Sequence, residues 1–212
     1  MDARNLKTEQ EPRYVSYRDL GEFNTISDIR KLRGIICKTS KSDPCFTCTV
    51  MGRKMFILTH SYRTIAEIMN RQMFVQTNSN RTIATETTSK EYPFAIETET
   101  AFKTWPKYAQ QFFLLHEIGH IVLGHLSYLN EHHILSGIEK FFSELVFYGC
   151  AHIEIEADLY AKKFMRLSDE NYIECIKIVR KDLKRKYKND EFILKLVDKV
   201  CDGRMKRVLM RS

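Results

Sequence analysis

The stretch Leu114-Leu115-His116-Glu117-Ile118-Gly119-His120-Ile121-Val122-Leu123-Gly124-His125-Leu126 carries two patterns at once. Leu114, Leu115, Ile118, Ile121, Val122 and Leu126 recur at helical spacing and predict a helix from about Thr104 to Leu129. Pro106 falls in its first turn, where a missing N–H does no harm. His116 and His120 are four residues apart, so both imidazoles lie on one helix face, one turn from each other. Glu117 sits at the edge of that face. Polar groups in an otherwise apolar helix are costly unless something satisfies them. The spacing is HExxH, in which two histidines ligate a metal and the glutamate acts as a general base. The ion this donor set suits is Zn²⁺, one per chain, because neutral imidazole binds it well and a catalytic site keeps a position open for water. A pair of exposed histidines is the plain alternative, and it fits the apolar surroundings poorly. Gly119 leaves room for another element to approach.

Two histidines do not hold a catalytic zinc, so a third ligand is required. His125 lies five residues past His120 and points off the shared face, and the longer HExxHxxGxxH pattern fails at Leu123 and Leu126. Glu154-Ile155-Glu156-Ala157-Asp158 offers more. Glu154 and Asp158 share a helix face, and the small Ala157 and Ala161 flank it, which favours close packing on the HExxH helix. Glu154 is the expected third ligand. Asp158 is the expected acceptor for the other ring nitrogen of a ligand histidine. Glu156 is rotated about 200° from Glu154 on the same helix and is expected to stand apart.

Working outward, the N-terminal half reads as strands and the C-terminal half as helices, an α+β fold with a small N-terminal sheet. Ser27–Arg33 reads as a short helix stopped by Gly34. Strands are expected at Ile35–Ser40, Phe46–Met51, Lys54–His60, Thr82–Thr88 and Phe94–Thr98. Thr64 with Glu67 and Ser136 with Glu139 have capping-box spacing, for helices at Tyr62–Met73 and Ile138–Tyr148. Further helices are expected at Ala151–Met165, Glu170–Tyr187 and Glu191–Cys201, the last two capped by Ser168-Asp169 and Asn189-Asp190. Residues 1–13 are polar and read as frayed. Residues 14–166 form the main domain, and 167–212 form a basic helical subregion packed on it.

No run of residues reaches the ~18–20 apolar positions that cross a bilayer, and the N-terminus has no apolar segment of the signal-peptide kind. Both point to the cytoplasm and away from a membrane. There Cys37, Cys45, Cys48, Cys150, Cys175 and Cys201 read as thiols. Cys45-Phe46-Thr47-Cys48 with Cys37 is a weak signal for a structural zinc or a redox site, and plain thiols are the simpler reading. Net charge is +7, and six of that excess falls between Arg166 and Ser212. Lys184-Arg185-Lys186-Tyr187-Lys188 is a candidate contact for nucleic acid or an acidic partner, against the simpler reading of a solvated helical face.

His116-Glu117-Ile118-Gly119-His120-Ile121-Val122-Leu123-Gly124-His125, followed by Glu154-Ile155-Glu156-Ala157-Asp158-Leu159-Tyr160-Ala161, resembles the ImmA/IrrE metallopeptidases, whose HELGHxxLGH helix precedes an ExxA(D/N)xFA helix. The resemblance covers about residues 105–166. The family's LLMP-like ending is replaced here by Lys163-Phe164-Met165-Arg166. The resemblance implies a zincin-like fold, with His116, His120 and Glu154 as zinc ligands, Glu117 as catalytic base and Asp158 behind a ligand. It also implies an intracellular endopeptidase acting on a protein substrate of the helix-turn-helix repressor class, in stress-responsive transcription regulation. Oxyanion donors could come from His125, Tyr148, His152 or Tyr160. The rival is a non-catalytic, zinc-stabilised regulatory protein that binds nucleic acid or a protein through its basic C-terminal helices.

Overall fold

The computed structural model describes residues 18–39, 45–59, 82–86, 90–98, 100–126 and 151–211. The expected helices at Tyr62–Met73 and Ile138–Tyr148 lie outside these residues. β1 (Arg18–Phe23) is followed by α1 (Ile26–Lys38), β2 (Cys45–Val50), β3 (Arg53–Leu58), β4 (Thr82–Glu86) and β5 (Phe94–Thr98). A 3₁₀ turn at Thr100–Thr104 leads to α2 (Lys107–Val122), and α3 (Ala151–Met165), α4 (Asp169–Lys186) and α5 (Glu191–Leu209) complete the chain. The fold is α+β, with the sheet in the N-terminal half and helices dominating the C-terminal half.

The five strands lie in the order β1-β2-β3-β5-β4. β2 and β3 are antiparallel, as are β4 and β5, while β1–β2 and β3–β5 are parallel. Among the described residues β1 and β4 are therefore the two edges. β1 is a strand where none was expected. Its register slips between Asp19 and Glu22, and Gly21 takes φ +81°, so the bulge breaks the alternation by which strands are recognised.

The helix expected to stop at Gly34 instead runs through it to Lys38, so residues 35–38 of the strand expected at Ile35–Ser40 are its last turn, Thr39 caps it, and Ser40 lies outside the described residues. Ile29, Leu32 and Ile36 form a fully buried stripe that spans the glycine. The stripe outweighs a helix penalty of ~1 kcal/mol for one glycine. Thr25 opens the helix with a capping box, its hydroxyl accepting from the Asp28 N–H while the Asp28 carboxylate accepts from the Thr25 N–H.

α2 is buried on every side from Ala109 to Ile121, which makes it the central helix of the domain. It lies against β4 and β5 on one side and packs along α3 on another, while α4 packs on α2 and α5 on α3. At Gly119 α3 comes close. A Cβ there would stand 3.1 Å from the Tyr160 ring and 3.4 Å from the Ala157 Cα. The helix ends at Val122, short of the expected Leu129, because Gly124 at φ +76° turns the chain. α5, by contrast, continues past Cys201 to Leu209. No helix among the described residues is long and apolar enough to cross a membrane.

Candidate metal centre

α2 presents His116 and His120, both fully buried, to the face of α3 that carries Glu154. The two Nε2 atoms are 3.0 Å apart. Glu154 Oε2 lies 3.4 Å from His116 Nε2, and Glu154 Oε1 lies 3.4 Å from His120 Nε2. One donor atom from each of the three falls within 4.8 Å of the others, so this group could hold a metal ion.

The outer ring nitrogens explain why the inner ones converge. His116 Nδ1 is 2.9 Å from Asp158 Oδ1. An ionised carboxylate only accepts, so His116 Nδ1 carries the proton and its Nε2 lone pair faces inward. On the other side His120 Nδ1 is 3.0 Å from His125 Nδ1, and His125 Nε2 is 3.1 Å from Glu156 Oε2. Burial pushes the His125 imidazole down to about 4, so it is neutral near pH 7. A neutral His125 that donates from Nε2 to Glu156 must accept at Nδ1 from His120, and that leaves the His120 Nε2 lone pair inward as well. Two lone pairs and a carboxylate aimed at one point repel each other unless a cation or a proton lies between them. Burial opposes charge on His116, yet hydrogen bonds to Asp158 and Glu154 push it up to about 10. Burial likewise opposes charge on Glu154, and the two imidazoles hold its carboxyl well below the usual range.

Asp158 is fully buried and accepts from three side chains. Besides His116, the Tyr172 hydroxyl donates to Oδ2 at 2.9 Å, Arg204 Nε donates to Oδ2 at 2.8 Å and Arg204 Nη2 to Oδ1 at 2.7 Å. Burial would raise its carboxyl, but the Arg204 charge and the hydrogen bonds from His116 and Arg204 outweigh that and lower it. Glu117, also fully buried, reaches the sheet instead: Oε2 accepts the Ala84 backbone N–H of edge strand β4 at 2.9 Å.

His125 was expected to point away from the histidine face. The turn at Gly124 brings it back behind His120, where it is occupied and is not an oxyanion donor pointing into the site. Tyr172 and Arg204 were missed by sequence reasoning. Arg204 left a signal, since it interrupts the stripe Val197, Cys201, Val208 of α5. His152 is exposed, Tyr160 lies against Gly119 and Phe164, and Tyr148 lies outside the described residues.

The other candidates separate from this centre. Cys48 is buried in β2, and burial pushes its thiol up to about 12. Cys45 opens the same strand, three positions before it. Cys37 lies on α1, its thiol 3.3 Å from Gln110 Oε1. Within the basic segment, Lys184 pairs with Asp198 and Arg185 with Asp182. No family model, curated protein or solved structure matches this chain.

Proposed function

We propose that this protein is a zinc-dependent endopeptidase of the kind its resemblance to the ImmA/IrrE metallopeptidases implies, acting on a protein substrate. The convergence of His116 Nε2, His120 Nε2 and Glu154, with Glu117 beside them on the same helix, carries this reading. The donor set fits zinc. Two atoms bound tetrahedrally at about 2.0–2.1 Å stand roughly 3.3 Å apart, against 3.0 and 3.4 Å here. Zinc supplies Lewis acidity at such a site, toward both a scissile carbonyl and the attacking water. The chain's own residues do the rest. Asp158 and His125 fix the tautomers that turn both Nε2 lone pairs inward. Glu117 takes a proton from the water at its carboxylate and returns it to the leaving amine. The Ala84 N–H fixes one oxygen of that carboxylate, so its position is set by the sheet as well as by its own helix. The ion pairs within the basic segment favour the solvated face over a nucleic-acid contact.

The test is co-expression with candidate DNA-binding repressors, comparing fragments from the native chain and Glu117→Gln, alongside elemental analysis. The native protein should hold about one zinc per chain. Glu117→Gln should keep the zinc and lose cleavage by roughly 10²–10⁴-fold. Glu154→Ala should lose most of the metal. A native protein without zinc, or undiminished cleavage by Glu117→Gln, refutes the reading.

A further inference from the structure

We infer that Arg204 is the positioning residue of the metal centre: a single guanidinium from the C-terminal helix that sets both the third ligand, Glu154, and the carboxylate behind His116, Asp158. This rests on the zinc reading of the site. Arg204 is buried, 6% exposed, although it stands 46 residues from Asp158 in sequence. All three of its nitrogens face the two carboxylates. Nε and Nη2 form a two-pronged contact with Asp158 at 2.8 and 2.7 Å, and Nη1 is 3.3 Å from Glu154 Oε2. The planar fork fixes the Asp158 carboxylate in two dimensions, and the third nitrogen then fixes where Glu154 lies relative to it.

Charge gives the arrangement its purpose. Glu154, its side chain only 16% exposed, and the fully buried Asp158 are one helical turn apart on α3, so as anions they repel. A cation between them offsets that repulsion and holds both in place before any metal arrives, which lowers the reorganisation that binding requires. Tyr172 completes the cradle by donating to the remaining side of Asp158, and it also comes from outside the α2–α3 pair. The metal site is thus closed by α4 and α5, elements with no ligand of their own. Lysine cannot replace this function, because an ammonium offers a point charge and no fork.

The experiment measures Zn²⁺ affinity by chelator competition for the native chain, R204K, D158N and the double variant, with circular dichroism as the check on fold. The visible absorption of the Co²⁺-loaded proteins is recorded alongside, as a report on ligand geometry that a purely structural role would leave unchanged. R204K should fold, bind Zn²⁺ about 10–100-fold more weakly and shift the Co²⁺ bands. In the D158N background the same change should have a much smaller effect, because Arg204 acts largely through Asp158. R204K affinity within about twofold of native, or effects that simply multiply in the double variant, overturns the inference. If R204K does not fold, R204Q is measured in the same way, and loss of fold in both also overturns it. A native chain that binds no Zn²⁺ defeats the metallopeptidase reading instead, and the two failures are distinguishable.

Discussion

The two candidate ligand histidines are four residues apart on one helix, yet they are held in opposite ways. Behind His116 lies a closed network in which Asp158, Tyr172 and Arg204 are all buried and satisfied by one another. Behind His120 lies a chain that runs outward through His125 to Glu156, which is half exposed. Both deliver the same tautomer. The first does so with charges fixed in a low-dielectric interior, where each partner depends on the others. The second ends on a carboxylate that water can replace. The same ring orientation is therefore expensive to disturb on one side and cheap on the other.

Breaking the buried side should have the largest effect. Asp158→Ala leaves the Arg204 charge and the Tyr172 hydroxyl without their acceptor, and should cost about 3–5 kcal/mol in stability. Denaturant unfolding measures it, and a loss below about 1 kcal/mol would mean that the network carries no more than a surface pair does. On the other side, His125→Ala removes the group that sets the His120 tautomer. It should weaken Zn²⁺ binding by roughly tenfold, read by chelator competition, with little change in stability. Glu156→Ala removes only the outer end of that chain. Its effect should stay within about 0.5 kcal/mol, and a loss as large as that of Asp158→Ala would erase the contrast.

Asp28 supplies a reference far from the site. It is a part-exposed carboxylate, and chiefly the Thr25 hydroxyl lowers it from 3.8 to about 2. Its folded-state pKa lies below the unfolded one, so its contribution to stability is present above about pH 4 and fades as pH falls through about 2. Thr25→Ala should flatten that part of the acid limb, with Tm followed from about pH 5 down to about pH 2. An unchanged slope would show that the capping box does not hold this carboxylate.

What could be read in the sequence was local. The 3.6-residue period of α2, the i, i+4 histidines, and the Glu154/Asp158 face with its small Ala157 and Ala161 are relations within one or two turns of a helix, where geometry is fixed by the backbone alone. Ala151–Met165 and Phe94–Thr98 are found at the residues where periodicity and β-propensity place them. β1 could not be read, because its bulge removes the alternation, and Gly34 misled, because packing of Ile29, Leu32 and Ile36 outweighs a local helix penalty. The sequence determined which residues could be ligands. Only the tertiary structure decided what stands behind them: Arg204 and Tyr172 arrive from helices distant in the chain, and His125 from a turn set by Gly124. The physical reason is that a buried charge takes its partner from whatever the fold packs against it, and that choice leaves no fixed spacing in the chain.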